Sequence, residues 1–172
     1  MNRITKQDIN KFGSYNDRAN NFDDDADVNA FIDFLKLVYE DAEFRPKPFG
    51  PYDVDLGVYI DDKLILIIDV ERWSAWKDTW PSYYSHVSFL GRKEKFLNKP
   101  YQFCMVYFNF DRTKFICINK EDIVKYPTVD RNVKGKMDRV KKLSFDVARL
   151  YGSHLTNIER GLFKNHFIRK IK

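Results

Sequence analysis

The fold of this chain is decided by residues 53–71, which read DVDLGVYIDDKLILIIDVE. In the first part of this stretch, apolar residues occupy the even positions: Val54, Leu56, Val58 and Ile60. This alternation predicts a strand over residues 52–60. Residues 64–70 are apolar on both faces until Asp69, which is typical of a central strand covered on both sides. We therefore predict a hairpin whose turn lies near residues 61–63.

The register of this hairpin decides which side chains share a face. A two-residue turn at 61–62 would place Asp55 opposite Ile68 and Asp69 opposite Val54. Every cross-strand pair would then mix a polar with an apolar residue. Since the hydrophobic pattern sets strand register, this pairing is disfavoured.

A three-residue turn at 61–63, which commonly carries a bulge, gives the alternative register. It collects the apolar residues in four cross-strand pairs: Ile60 with Leu64, Val58 with Leu66, Leu56 with Ile68, and Val54 with Val70. The opposite face then pairs Asp55 with Asp69 and Asp53 with Glu71. We predict this register, because it separates the apolar from the acidic side chains.

Four carboxylates on one patch require a positive partner. Like charges at this distance repel each other, and burying a carboxylate without a partner is costly. Because carboxylate oxygens are hard ligands, the patch points to Mg²⁺ or Mn²⁺. A solvated, inert acidic hairpin end is the alternative interpretation.

The elements before the hairpin are predicted from composition and spacing. Residues 1–27 are polar, and we expect a loosely ordered arm, in which a short helix is an alternative. A helical stripe follows, made by Val28, Phe31, Ile32, Leu35, Val38, Tyr39 and Ala42. The acidic residues at 23–27 would then lie at the positive end of the helix dipole. Because Pro46 and Pro48 break a helix, we expect this one to end near Phe44.

After the hairpin, further strands are predicted at residues 84–90, 101–109 and 114–119. The last third is predicted to be helical, on a stripe formed by Met137, Val140, Leu143, Val147 and Leu150. A second apolar set follows at 158–167, and a basic tail at 169–172. We therefore predict one domain over residues 1–172 with a mixed α/β fold, comprising an arm (1–27), a core (28–120) and a basic C-terminal helical region (121–172).

Composition excludes several classes of protein. The longest hydrophobic run has six residues, Phe103 to Phe108, whereas a membrane-spanning helix needs about 20. No secretory signal is recognisable, and we expect no membrane partner. The two cysteines, Cys104 and Cys117, lack zinc-site spacing and lie in apolar runs. We expect buried thiols in a cytoplasmic protein.

The net charge of +5 conceals a division between the two halves of the chain. Residues 1–90 carry 10 Lys and Arg against 17 Asp and Glu, whereas residues 91–172 carry 20 against 8. A strongly basic half favours an anionic partner, and we expect contact with the DNA backbone. The candidate contacts are Trp76, Lys77, His86, Arg92, Lys93, Lys95, Lys136, Arg139, Lys141 and Lys142.

Five aromatic residues follow the acidic strand at once: Trp73, Trp76, Trp80, Tyr83 and Tyr84. Stacking on nucleic-acid bases is one interpretation of this group. The i, i+3, i+7 spacing of the tryptophans favours another, in which one helical turn packs against the core.

The order of these features resembles one nuclease family. Residues 28–120 resemble the PD-(D/E)xK restriction-endonuclease-like superfamily. The resemblance lies in the order of an acidic-edged helix, a strand carrying Asp55, a turn, and a strand ending in Ile67-Ile68-Asp69-Val70-Glu71. The resemblance implies a restriction-endonuclease-like core with flanking helices. It also implies phosphodiester hydrolysis, with Asp55 and Asp69 holding Mg²⁺ or Mn²⁺. Glu71 would assist the attacking water, and the Val70 carbonyl is a further candidate ligand.

The chain departs from the family pattern at two positions. Pro51 stands four residues before Asp55 rather than next to it, and Glu71 occupies the usual lysine position. A lysine from elsewhere could reach the site: the candidates are Lys77 and the run 92–95, which includes Lys93, and the sequence leaves the choice between them open. The family often adds an acid from the first helix, for which Glu43 is the candidate.

These features support an endonuclease acting on double-stranded DNA. Cleaving two strands needs two sites, so a homodimer is compatible with this function. The alternative is a catalytically inactive nuclease-fold module that binds nucleic acid or a protein partner. A generic α/β domain with a solvated acidic hairpin is the third possibility.

Overall fold

A computed structural model describes residues 13–133 and 135–152 of the chain. The predicted apolar set at 158–167 and the basic tail at 169–172 lie outside the described residues. Within the described ranges, no helix is long and apolar enough to cross a membrane.

The first described element is helix α1, Gly13–Val38. The predicted arm over residues 1–27 is therefore wrong from residue 13 onward, since no helix-breaking proline separates this part from the apolar stripe. The acidic residues at 23–27 lie inside the helix, so the dipole explanation for them is also wrong. The helix ends before Phe44, because Glu43–Pro46 forms a strand.

Among the described residues, six strands form a mixed sheet in the order β1-β2-β3-β5-β6-β9. Their bounds are Glu43–Pro46 (β1), Leu56–Ile60 (β2), Lys63–Arg72 (β3), Gln102–Phe108 (β5), Lys114–Asn119 (β6) and Arg149–Gly152 (β9). Strands β3 and β5 are parallel, whereas the other neighbours are antiparallel. The predicted mixed α/β class is confirmed.

A second sheet has three antiparallel strands in the order β4-β8-β7. Its bounds are Val87–Leu90 (β4), Thr128–Val133 (β7) and Lys136–Leu143 (β8). The short helices are two 3₁₀ turns, Gly91–Lys93 and Phe145–Val147, and the single α-turns Glu94–Leu97 (α2) and Lys120–Ile123 (α3).

Strands at the three predicted positions after the hairpin are confirmed, but the predicted helical last third is wrong over its described part. Residues 136–143 form β8 because they pair with two other strands. The sequence of β8 does not show the alternation of polar and apolar residues expected of a strand, because the charged Lys141 occupies a buried position. Lys141 is buried beside Val140 and Leu143, and its Nζ donates a hydrogen bond of 2.5 Å to the Tyr126 carbonyl.

The six-stranded sheet is covered on both faces. Helix α1 packs on one face, where Phe31 and Leu35 lie in a buried cluster with Ile68 of β3. The three-stranded sheet covers the other face, where Phe89 packs with Phe103 at 6.3 Å between ring centroids. The central, covered position predicted for β3 is therefore confirmed.

The hairpin combines features of both registers considered from sequence. Its turn has two residues, Asp61 and Asp62, with φ angles of 50° and 63°. The predicted three-residue turn is therefore wrong. A bulge next to Val58 restores the predicted register farther along, so that Leu56 pairs with Ile68. The hydrophobic pattern is satisfied by the bulge rather than by the turn.

Candidate active site

The site begins at the end of β3, where Asp69 and Glu71 point to the same face as Ile67. This face is the one covered by the three-stranded sheet, and Asp69 is only 5% exposed. On this face of β3, the buried apolar residue Ile67 is therefore followed directly by the two carboxylates. Glu71 is the more accessible of the two, with 32% of its side chain exposed.

Asp55 stands immediately before β2, next to the Leu56–Ile68 pair, and the same register continued by one residue brings it opposite Asp69. Its Oδ2 accepts a hydrogen bond of 2.9 Å from the Val70 N–H. Burial, together with the charge of Asp69, raises the pKa of Asp55 to about 8, and the Val70 hydrogen bond acts in the opposite direction. The two aspartates are therefore close enough for each charge to oppose the other.

Lys93 supplies the positive charge that the strand itself lacks. Its Nζ lies 2.6 Å from Asp69 Oδ2 and 3.0 Å from Glu71 Oε2. Burial opposes the charge of Lys93, but Glu71 and Asp69 outweigh it and raise its pKa above the usual range. The ammonium therefore stays protonated at neutral pH and bridges the two carboxylates.

The position of Lys93 is set by the 3₁₀ turn that follows β4. Gly91 begins this turn against β8, where a Cβ atom would lie 2.7 Å from the Arg139 carbonyl oxygen. Three residues after Lys93, the ring of Phe96 is buried against Phe103. Gly91 at the start of the turn and the buried ring of Phe96 in the helix that follows it fix the position of Lys93 beside the acids.

The Val70 carbonyl is oriented toward the same site. In an extended strand the N–H and C=O of one residue point to the same side. Odd- and even-numbered residues of a strand direct these groups to opposite sides. The N–H of the odd-numbered Trp73 bonds to the Phe108 carbonyl of β5, whereas the N–H of the even-numbered Val70 bonds to Asp55 on the other side. The Val70 carbonyl therefore points away from β5 and toward Asp55.

Tyr107 forms the floor of the site and was not singled out from sequence, because it lies within an apolar run. It is paired with Glu71 in the β3–β5 register and is fully buried. Its hydroxyl donates a hydrogen bond of 2.9 Å to the Ser88 carbonyl. This bond links the six-stranded sheet to β4 directly beneath the acids.

Two predicted acids lie away from the site: Asp53 of the acidic patch and Glu43, the candidate acid from the first helix. Asp53 pairs with Lys99, at 3.2 Å between Oδ2 and Nζ, rather than with Glu71. Glu43 is exposed on edge strand β1 and binds Arg45, with 2.7 Å between Oε2 and Nη2. Because Glu43 pairs with Tyr59, it lies at the opposite end of β2 from the acids. Its predicted catalytic role is therefore wrong.

The candidate DNA contacts divide by exposure. Trp76 is 2% exposed and Lys141 8% exposed, so neither can contact DNA in this fold. His86 is partly exposed, and Lys95 is exposed with its Nζ donating to the Tyr52 carbonyl. The remaining lysines and arginines besides Lys93 are exposed: Lys77, Arg92, Lys136, Arg139 and Lys142.

The donor set of the site consists of oxygen atoms, the ligands that a hard divalent cation prefers. Among the described residues, no group of three or more His, Cys, Asp or Glu side chains is arranged to hold a metal ion. The available ligands are the carboxylates of Asp55 and Asp69 and the main-chain oxygen of Val70. These hard oxygen donors fit Mg²⁺ or Mn²⁺. A cation would also relieve the repulsion between the two aspartates.

No protein-family model matches the chain, and neither a curated protein nor a solved structure is detectably similar to it. Any function assigned to the chain therefore depends on the chemistry of the site itself.

Proposed function

We propose that this chain is a metal-dependent endonuclease that hydrolyses phosphodiester bonds in DNA. The observation that carries the proposal is the convergence of Asp55, Asp69, Glu71 and Lys93. Three carboxylates and one ammonium meet at the end of a strand, although the lysine comes from the 3₁₀ turn after β4, the first strand of the other sheet along the chain. The residue order that resembles the PD-(D/E)xK superfamily supports the same assignment.

The metal would be held by Asp55, Asp69 and the Val70 carbonyl. When bound, Mg²⁺ or Mn²⁺ lowers the pKa of a coordinated water and stabilises negative charge on the phosphate. Asp55 would bind in its deprotonated form, so its proton would leave the site as the metal enters.

Glu71 is the residue that would accept a proton from the attacking water. It is more exposed than Asp69, so water and substrate can reach its free oxygen. Lys93 cannot act as the base, because its neighbours keep it protonated. It would hold Asp69 and Glu71 in position and donate hydrogen bonds to the phosphate group, which are the roles a charged lysine can perform.

The alternative is a catalytically inactive module of the same fold. One observation favours it: the Lys93 ammonium already balances the charges of Asp69 and Glu71 without any metal. A module of this kind would bind DNA through its exposed basic residues but leave the strand intact.

A cleavage assay separates the two functions. The full chain is incubated with plasmid and linear DNA in Mg²⁺, Mn²⁺ or EDTA, beside the Asp69→Asn variant. Asp33→Asn, on the exposed side of α1, is the matched control. We expect cleavage by the wild type and the control with metal, and loss of cleavage in Asp69→Asn.

Binding without cleavage in every metal would support the inactive module and overturn the proposal. Cleavage that Asp69→Asn leaves intact would show that the catalytic site lies elsewhere. Circular dichroism of each variant verifies that lost cleavage does not come from unfolding.

A further inference from the structure

An aromatic cluster lies beside the acidic site and has no role in the proposed hydrolysis. It consists of Trp73, Trp80, Tyr83, Tyr84 and Phe145. Ring centroids lie 5.1 Å apart for Trp73 and Trp80, and 4.6 Å apart for Tyr83 and Tyr84. Phe145 meets the edge of Trp80 at 5.3 Å.

Except for Phe145, the aromatic cluster lies on an irregular connection. The helical turn predicted from the tryptophan spacing is therefore wrong. Residues 73–86 contain no helix or strand. The connection is held by specific bonds: the Trp80 Nε1–H donates to the Tyr84 carbonyl at 2.8 Å, and Asn109 Nδ2 donates to the Lys77 carbonyl at 2.9 Å. Connections of more than about 12 residues without secondary structure are uncommon in compact domains and are often functional.

Part of the aromatic cluster faces solvent. Tyr83 is 73% exposed and Phe145 41% exposed, while Trp73, Trp80 and Tyr84 are partly buried behind them. Exposed aromatic side chains that adjoin one another are typical of binding surfaces rather than of the general protein surface.

The cluster begins next to the reacting groups. Trp73 lies one residue past the end of β3 and two residues after Glu71. In an extended chain, side chains two residues apart point to the same face, with about 7 Å between their Cβ atoms. Its ring packs against Tyr107, at 5.6 Å between centroids, and Tyr107 is the neighbour of Glu71 on β5. A group stacked on this cluster would therefore lie close to the bond being cleaved.

Basic side chains flank the cluster on its other side. Val87 pairs with Leu143, so the segments that carry Tyr84 and Phe145 enter the three-stranded sheet side by side. Lys142, exposed on β8, pairs with Ser88 of β4, and Arg131 on β7 donates a hydrogen bond of 2.9 Å from Nη1 to Ser88 Oγ. Burial, followed by these two charges, lowers the pKa of the nearby His86. The surface is thus aromatic near the acids and positively charged beyond them.

We propose that this surface binds a single DNA strand, whose unpaired bases stack on the aromatic cluster while Arg131 and Lys142 contact its phosphates. The inference rests on the proposed function and names its substrate class as DNA with an unpaired strand, in place of the double-stranded DNA expected from the sequence. Aromatic rings combined with a basic groove are the combination that recognises unpaired strands without sequence preference. In a duplex the base faces are occupied by their neighbours, so the rings would find nothing to stack on.

The three tryptophans of the chain give a direct readout. All of them lie in or beneath the aromatic cluster, since Trp76 packs against Trp80 at 5.3 Å. Tryptophan fluorescence therefore reports on this region alone. The probes are a single-stranded oligothymidine, an abasic strand of the same length and a duplex, each titrated in EDTA so that no cleavage occurs.

We expect the oligothymidine to quench the fluorescence, and Tyr83→Ala to weaken its binding about tenfold. Leu37→Ala is the matched control, because Leu37 is an exposed apolar residue on α1, which covers the opposite face of the sheet. Equal binding of the abasic strand, or tighter binding of the duplex, would overturn the inference. These titrations do not depend on catalysis, so they can fail while DNA cleavage and its loss in Asp69→Asn stand.

Discussion

Lys93, in the 3₁₀ turn after β4, and Asp69, on β3, form a buried ion pair with 2.6 Å between Nζ and Oδ2. Their exposed side-chain fractions are 12% and 8%. The pair joins the turn after β4 to the end of β3, and Glu71 shares the same ammonium at 3.0 Å. The site is therefore assembled only when the three-stranded sheet docks onto the larger one.

Replacing Lys93 with methionine should destabilise the protein by about 3–5 kcal/mol, because it leaves two carboxylates without their partner. Urea unfolding measures the change. Adding Asp69→Asn to this variant should recover part of the loss, since it removes one of the two unpaired charges and leaves only that of Glu71. An unchanged unfolding midpoint for Lys93→Met would contradict the buried pair.

The stability of the metal-free protein should fall as the pH rises from 3.8 toward about 8, through the contribution of Asp55. In this range the folded protein keeps a proton that the unfolded chain has already lost, so a rising pH favours unfolding. Unfolding free energies of the wild type and Asp55→Asn, measured in EDTA across this range, isolate the contribution. A wild type that gains stability relative to Asp55→Asn with rising pH would show that the pKa of Asp55 is lowered instead.

Gly91→Ala should destabilise the protein by about 1–3 kcal/mol and reduce DNA cleavage, because the added Cβ meets the Arg139 backbone and displaces the turn that carries Lys93. Gly152→Ala is the control, since its Cβ would meet no atom nearer than the Thr113 carbonyl oxygen at 4.0 Å. Thermal unfolding and cleavage are measured on both variants. Equal behaviour of the two would mean that the turn has room to adjust.

The adjacent residues Lys141 and Lys142 should have separable roles. Lys141→Ala leaves the Tyr126 carbonyl unpaired and should cost about 1–3 kcal/mol of stability. Lys142→Ala should leave stability within about 0.5 kcal/mol and weaken DNA binding, with a smaller dependence of affinity on salt. Urea unfolding and fluorescence anisotropy with labelled DNA measure the two effects. The reverse assignment would indicate that β8 presents its other face to DNA.

The placement of Asp55, Asp69 and Glu71 was predictable from sequence because it depends on local periodicity. Asp69 and Glu71 share a face through the two-residue repeat of a strand, and the apolar pattern aligns Asp55 with Asp69. The turn was not predictable in the same way, because two left-handed residues followed by a bulge give the same downstream register as a three-residue turn.

The elements of the last third were mispredicted for a related reason. The apolar residues of β8 fall at spacings that also suit a helix, and the inward position of Lys141 removes the alternation that would identify a strand. Only pairing with β4 and β7, which are distant in sequence, selects the extended conformation.

By itself, the sequence determined a hairpin with a covered central strand and two aspartates facing each other at its end, since these follow from the spacing of neighbouring residues. The tertiary structure decided which cation meets them: Lys93 rather than Lys77, and no acid from Glu43. It also decided that Trp76 is buried while Tyr83 faces solvent. These outcomes depend on how two sheets and a long connection pack together, and no local pattern specifies contacts between residues so far apart along the chain.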